Sequence, residues 1–275
     1  MSKSEEIKLP FIETIKRSFS YVLGTPKLLL GSISIGIVAF IYEIFSGFPI
    51  LCSLGVQVCE ESTKQSVSNL IIVLVSASII INYCRGIILK SPFDFRSLSL
   101  VRRIALYILT AIGLYFAILL IGVLSSALVS SVFYLLGYKA INEVFSLVLL
   151  IMMVVAAIIL APVFVLFAGI AVDDKTLSLK EAFKITKGNN NKIFWGQIIM
   201  MLPCGSLMVL ISVLSAYTGA ESYMAKLLYC ITLLLISFVD SCFKASFFAH
   251  IYQYFTFYHN KSQKKSASKS KKEQG

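Results

Sequence analysis

Apolar residues run in six long blocks, at about 28–49, 67–89, 104–128, 144–172, 193–217 and 225–247. A helix crossing a bilayer needs about 20 mostly apolar residues, and every block meets that length. None of them alternates apolar and polar positions, as the strands of a membrane barrel would. The pattern predicts an all-α integral membrane bundle of six spans, residues 28–258. A segment of 27 residues precedes it and a tail of 17 residues, 259–275, follows it. The first 27 residues carry no apolar signal-peptide core, so the first span is expected to direct its own insertion. The apolar stretch 104–136 is long for one span. A break or strong tilt is expected near Gly122–Ser126.

Polar positions between the blocks show a second, amphipathic pattern. Phe11, Ile12, Ile15, Phe19, Val22 and Leu23 form one helical face, with Glu13, Lys16, Arg17 and Ser20 opposite. Ser178 and Glu181 have the spacing of a capping box, and Gly188 supplies a left-handed helix stop. Lys192-Ile193-Phe194-Trp195-Gly196 then echoes Lys27-Leu28-Leu29-Leu30-Gly31. A weaker copy spans Pro92 to Arg103. The repetition predicts three two-span hairpins, each preceded by an amphipathic helix lying in the membrane interface.

Charge gives the spans a direction. The amino-terminal segment, the stretch 85–103, the connection 175–192 and the tail hold 21 of the 25 Lys and Arg residues. Cations are retained on the cytoplasmic side, so both termini are expected there, in a bacterial inner membrane. Composition agrees: 57% of residues are hydrophobic and 14% charged, against roughly 45–50% and about 25% in soluble domains. The formal charge of +11 then reads as topology and contact with anionic phospholipid, with no role for nucleic acid. Lys261, Lys264, Lys265, Lys269, Lys271 and Lys272 make the tail polybasic, and its Ser/Lys composition predicts disorder.

The stretch Ala161-Pro162, Val172-Asp173-Asp174 and Leu177-Ser178-Leu179-Lys180-Glu181-Ala182-Phe183, closing on Gly188-Asn189, resembles the membrane domain of glycerophosphoryl diester phosphodiesterases. Related six-span bacterial membrane proteins share that design, and Ala249-His250-Ile251-Tyr252 is similar to their closing pattern. The resemblance covers roughly 160–200 and 245–255. It implies a fold and a membrane address. Phosphodiester hydrolysis is not implied, since span four has no Arg between Val144 and Ala161 and no catalytic domain is expected after the tail.

Chemistry-bearing residues are sparse. His250 and His259 sit in an aromatic-rich helix end without metal-ligand spacing, and no cofactor is expected. Cys52 and Cys59 share an outer loop and read either as a disulfide or as two free thiols. Glu43, Arg85, Asp240 and Lys244 are the ionisable groups inside spans, where such groups need partners or a wet cavity. Asp240 and Lys244 stand four apart and can pair on one helix face. Pro162 and Pro203 are expected to interrupt spans four and five. Two readings result: a non-enzymatic membrane protein engaging the inner leaflet, or a transporter of a small solute or lipid using Asp240 and Glu43.

Overall fold

The computed structural model describes residues 8–27, 29–31, 34, 37, 62–90, 98–135, 141–218 and 223–273. Among these residues every regular element is helical. They are α1 (Phe11–Gly24), α2 (Ser62–Leu89), α3 (Leu98–Leu135), α4 (Ile141–Leu160), α5 (Val163–Ala171), α6 (Leu179–Ile185), α7 (Asn190–Thr218) and α8 (Tyr223–Glu273).

Four of them are long and apolar enough to cross a bilayer: α2, α3, α7 and α8. The pair α4–α5, bent by 49°, makes a fifth if it is one span. The bend has a local cause. Pro162 has no N–H to continue the helical ladder, so Ala161 and Phe164 bond in three-residue turns, to Ile158 O and Ala161 O. Pro203, by contrast, stays inside an unbroken α7, so only one of the two expected proline interruptions occurs. The first expected span, 28–49, lies almost wholly outside the described residues, and Glu43, Cys52 and Cys59 lie there too.

The expected break in the third block is absent, for α3 runs unbroken through 38 residues, roughly 57 Å of helix. Gly122 serves close packing instead. A Cβ there would come within 2.8 Å of Met153 Cγ on α4, so the missing side chain lets the two helices approach. Ser126 returns its hydroxyl to the Gly122 carbonyl and adds no free polar group. The tail also departs from its composition. α8 continues as helix to Glu273, because no Pro or Gly occurs between His259 and Glu273 to stop the ladder.

Helix α8 organises the bundle. It packs against α2, α7, α1 and α5, while α2 meets α3, α3 meets α4 and α4 meets α7, which closes a circuit of helices. The core follows from this: buried side chains concentrate on the second half of α2, on α5 and along α8, including Tyr83, Phe167, Phe247 and Phe255. Helices α3, α4 and α7 instead point large apolar residues outward, with Leu109 68%, Leu150 63% and Val209 64% exposed. In water so broad an apolar surface would aggregate, whereas lipid satisfies it.

Candidate functional site: the basic end of the bundle

Long-range polar contacts gather at one end, where residues 8–25, 83–87, 99–103, 171–192 and 246–254 meet. The amino-terminal helix is fixed there by hydrogen bonds as well as by apolar packing. Leu9 N donates to Asn189 Oδ1 at 2.8 Å, Lys192 Nζ donates to Leu9 O at 3.1 Å, and Tyr254 OH donates to Lys8 O at 2.9 Å. Further along, Ser246 Oγ donates to Ser18 O at 3.1 Å. His250 Nδ1, which stands 2.7 Å from Ser246 O, therefore carries a proton. Phe19 meets Phe243 with ring centroids 5.0 Å apart.

The face that α1 buries is the expected apolar one only in part, for Val22 is buried and Ile15 and Phe19 pack on the core. Thr14, Ser18 and Val22, each four residues apart, are buried, while Ile12 and Leu23 are 67% and 71% exposed. Burying the two hydroxyls is tolerable because each bonds a carbonyl one turn back, Thr14 to Pro10 and Ser18 to Thr14. Ile12 and Leu23 are thereby left facing outward, and Lys16 and Arg17 are exposed on the same helix.

The connection after α5 is held as tightly. Asp173 adopts a left-handed backbone, φ 57°, and accepts from Arg103 Nε at 2.6 Å. That guanidinium holds the Asp173 carboxyl below its ordinary pKa, against a smaller opposing effect of burial. Arg103 is itself 6% exposed and also donates to Ser99 Oγ, and Arg85 Nη1 caps the end of α5 through Ala171 O at 3.1 Å. For Asp174, burial alone would raise the pKa. Hydrogen bonds from Thr176, Tyr252 and the Leu177 backbone more than offset it, so the carboxyl titrates low. Tyr252 OH reaches it from α8 at 2.7 Å.

Half of the expected capping box of α6 forms, while Ser178 N donates to Thr176 O. Ser178 Oγ accepts from Glu181 N at 3.2 Å, and Gly188 closes the turn with φ 78°. Ala182, Ile185 and Thr186 are buried, but Leu179 is 52% exposed. Asp240 and Lys244 pair as their spacing predicts, Nζ to Oδ2 at 2.5 Å, and the second carboxylate oxygen of Asp240 is buried without a hydrogen-bond partner among the described residues. Lys261, Lys264, Lys265, Lys269, Lys271 and Lys272 continue α8, with side chains outside the described set, as is that of His259.

Two grooves open at this end. One, of about 500 Å³, lies between α1 and α8 and is lined by Glu13, Arg17, His250, Tyr254 and Tyr258 among others. The second, of about 590 Å³, lies between α3 and α5, with Ser99, Arg102, Leu106, Ile170 and Lys175 in its walls. Among the described residues no group of three or more His, Cys, Asp or Glu side chains could hold a metal ion.

Sequence reasoning missed the Arg103–Asp173 and Asn189–Leu9 partnerships. Both join residues far apart in the chain, and the only local signal was polar residues at the ends of apolar runs. No protein-family model, no curated protein and no solved structure matches this chain.

Proposed function

We propose that this chain is a non-enzymatic, six-span protein of the bacterial inner membrane whose basic end faces the cytoplasm and engages anionic lipid of the inner leaflet, organising the membrane around it. The observation that carries the reading is the docked pose of α1, which exposes Ile12 and Leu23 beside Lys16 and Arg17. A helix with exposed apolar and cationic groups, anchored at the rim of an apolar bundle, suits the boundary between acyl chains and headgroups. The resemblance of the stretch 160–200 to phosphodiesterase membrane domains points to the same address. A transporter reading draws support from the unpartnered oxygen of Asp240.

Reconstitution tests both. Purified protein carrying a fluorophore is placed in vesicles that mix labelled phosphatidylglycerol with labelled phosphatidylcholine, and energy transfer reports which lipid collects around it. Enrichment of the anionic lipid, reduced by I12D/L23D, supports the leaflet reading, whereas equal transfer from both lipids rejects it. An impermeant amine reagent on sealed right-side-out vesicles should label Lys64 or Lys139 and spare the tail; the reverse pattern overturns the orientation. Solute flux lost in D240N with normal folding would favour transport.

A further inference from the structure

We propose that the groove between α3 and α5 is a binding site for a single glycerophospholipid with an anionic phosphodiester headgroup, taken from the leaflet at the basic end. The inference deepens the leaflet reading above and rests on it. At about 590 Å³ the groove falls within the roughly 300–1,000 Å³ typical of small-ligand clefts. Its charge is suited to a phosphate. Arg103 is committed to Asp173, and Asp174 is committed to Tyr252 and Thr176, so both carboxylates that line the groove already hold donors. Arg102 and Lys175 also line it, and neither makes a hydrogen bond or ion pair among the described residues. Arg103 and Arg85 do not line the groove but offset its carboxylates, Arg103 by bonding Asp173 and Arg85 by a charge that reaches it, so Arg102 and Lys175 are the cations in the walls. That leaves the site with a positive excess for one diester anion.

Acyl chains make the ligand a lipid and not a free phosphate. Arg102, Leu106, Leu109, Gly113 and Phe116 recur at helical spacing, forming one stripe along α3 from the groove toward the middle of the span. Leu106, Leu109 and Phe116 are 40%, 68% and 64% exposed, and a Cβ at Gly113 would meet nothing within 4 Å, leaving a gap in the stripe. The headgroup cations thus stand at the head of an apolar track of the sort an acyl chain lies along.

Native mass spectrometry of the full-length protein, released from nanodiscs holding equal phosphatidylglycerol and phosphatidylcholine, tests the site. The wild type should keep one phosphatidylglycerol. The exposed pair R102Q/K175Q should keep about ten-fold less or lower still, while K271Q/K272Q in the tail keeps as much as wild type. A second readout does not depend on release: in W195F/L106W, phosphatidylglycerol brominated on its acyl chain should quench the new tryptophan more than brominated phosphatidylcholine does. Undiminished retention by R102Q/K175Q overturns the site and leaves the leaflet reading standing. A wild type with no preference for phosphatidylglycerol overturns both. Displacement of the lipid by inorganic phosphate would show a free-anion site and overturn the assignment to lipid.

Discussion

Arg103 and Asp173 join α3 to the turn that follows α5, and they are unequally buried: the guanidinium is 6% exposed and the carboxylate 42%. The asymmetry decides which partner is harder to lose. Without Asp173 a buried cation has no counter-charge, whereas without Arg103 the carboxylate still reaches water. Breaking a fully buried pair costs about 3–5 kcal/mol, and exposure of the acid reduces this. D173A should therefore cost roughly 1–3 kcal/mol and R103M less, as read from unfolding midpoints of the protein in detergent. Equal losses would mean that the pair is solvated on both sides.

Acid should weaken the same corner of the fold. Asp173 and Asp174 both titrate below the ordinary value of 3.8, which an unfolded chain would show. A carboxyl with a depressed folded pKa contributes stability that is complete above the unfolded value and disappears as pH falls through the folded one. Thermal midpoints should be flat from pH 7 to 5 and drop below about pH 4. In D173N the gap to wild type should be widest near neutrality and shrink below pH 3. A gap that is constant across the range would remove these carboxylates from the acid limb.

The tether between Asn189 and Leu9 predicts a local effect. Asn189 Oδ1 accepts from the buried Leu9 N–H at 2.8 Å, so N189L strands a donor, at a cost of about 1–3 kcal/mol. Amide exchange across residues 9–24 should accelerate by about ten-fold or more, while α2 keeps its protection. Uniform acceleration would indicate global destabilisation, and no change would show that Lys192 and Tyr254 suffice to hold the segment.

What could be read along the chain follows from how local each cause is. Ser178, Glu181 and Gly188 were readable because a cap and a left-handed stop are made by residues within one or two turns. The pairing of Asp240 with Lys244 was readable for the same reason. The packed face of α1 was readable only in part, through Ile15, Phe19 and Val22. An apolar stripe names Ile12 and Leu23, but the fold buries Thr14 and Ser18, whose hydroxyls are satisfied by their own helix and which are small enough for α8 to come close. Along the chain Gly122 reads as a place to break or tilt the helix, but it is a point of close approach, because the deciding neighbour, Met153, belongs to another helix.

Close approach also governs the seam between α7 and α8. A Cβ on Gly196 would overlap the ring of Phe247, which is fully buried and has little room to move. Overpacking of this kind costs about 1–3 kcal/mol, so G196A should lower the unfolding midpoint. F247L should recover part of the loss in the double variant, since it removes the opposing ring. If the two losses simply add, the residues are not in contact and the helix seam is wrongly placed.

Asp240 and Lys244 pose the sharpest question about the apolar interior. Asp240 is 8% exposed and short, so it cannot leave its position; Lys244 is 25% exposed at its side chain and long enough to snorkel toward headgroups. Removing the lysine thus strands a carboxylate in a low-dielectric seam, while removing the acid leaves a cation with an escape route. K244M should cost about 2–4 kcal/mol and D240N about 1–2 kcal/mol. Replacing both, as D240L/K244M, should return most of the stability, because neither charge is then left without its partner. That recovery is the decisive measurement in a double-mutant cycle. A structural pair gives a strongly coupled cycle, whereas groups that serve a passing ion or proton give little coupling and a double variant that folds normally but conducts nothing.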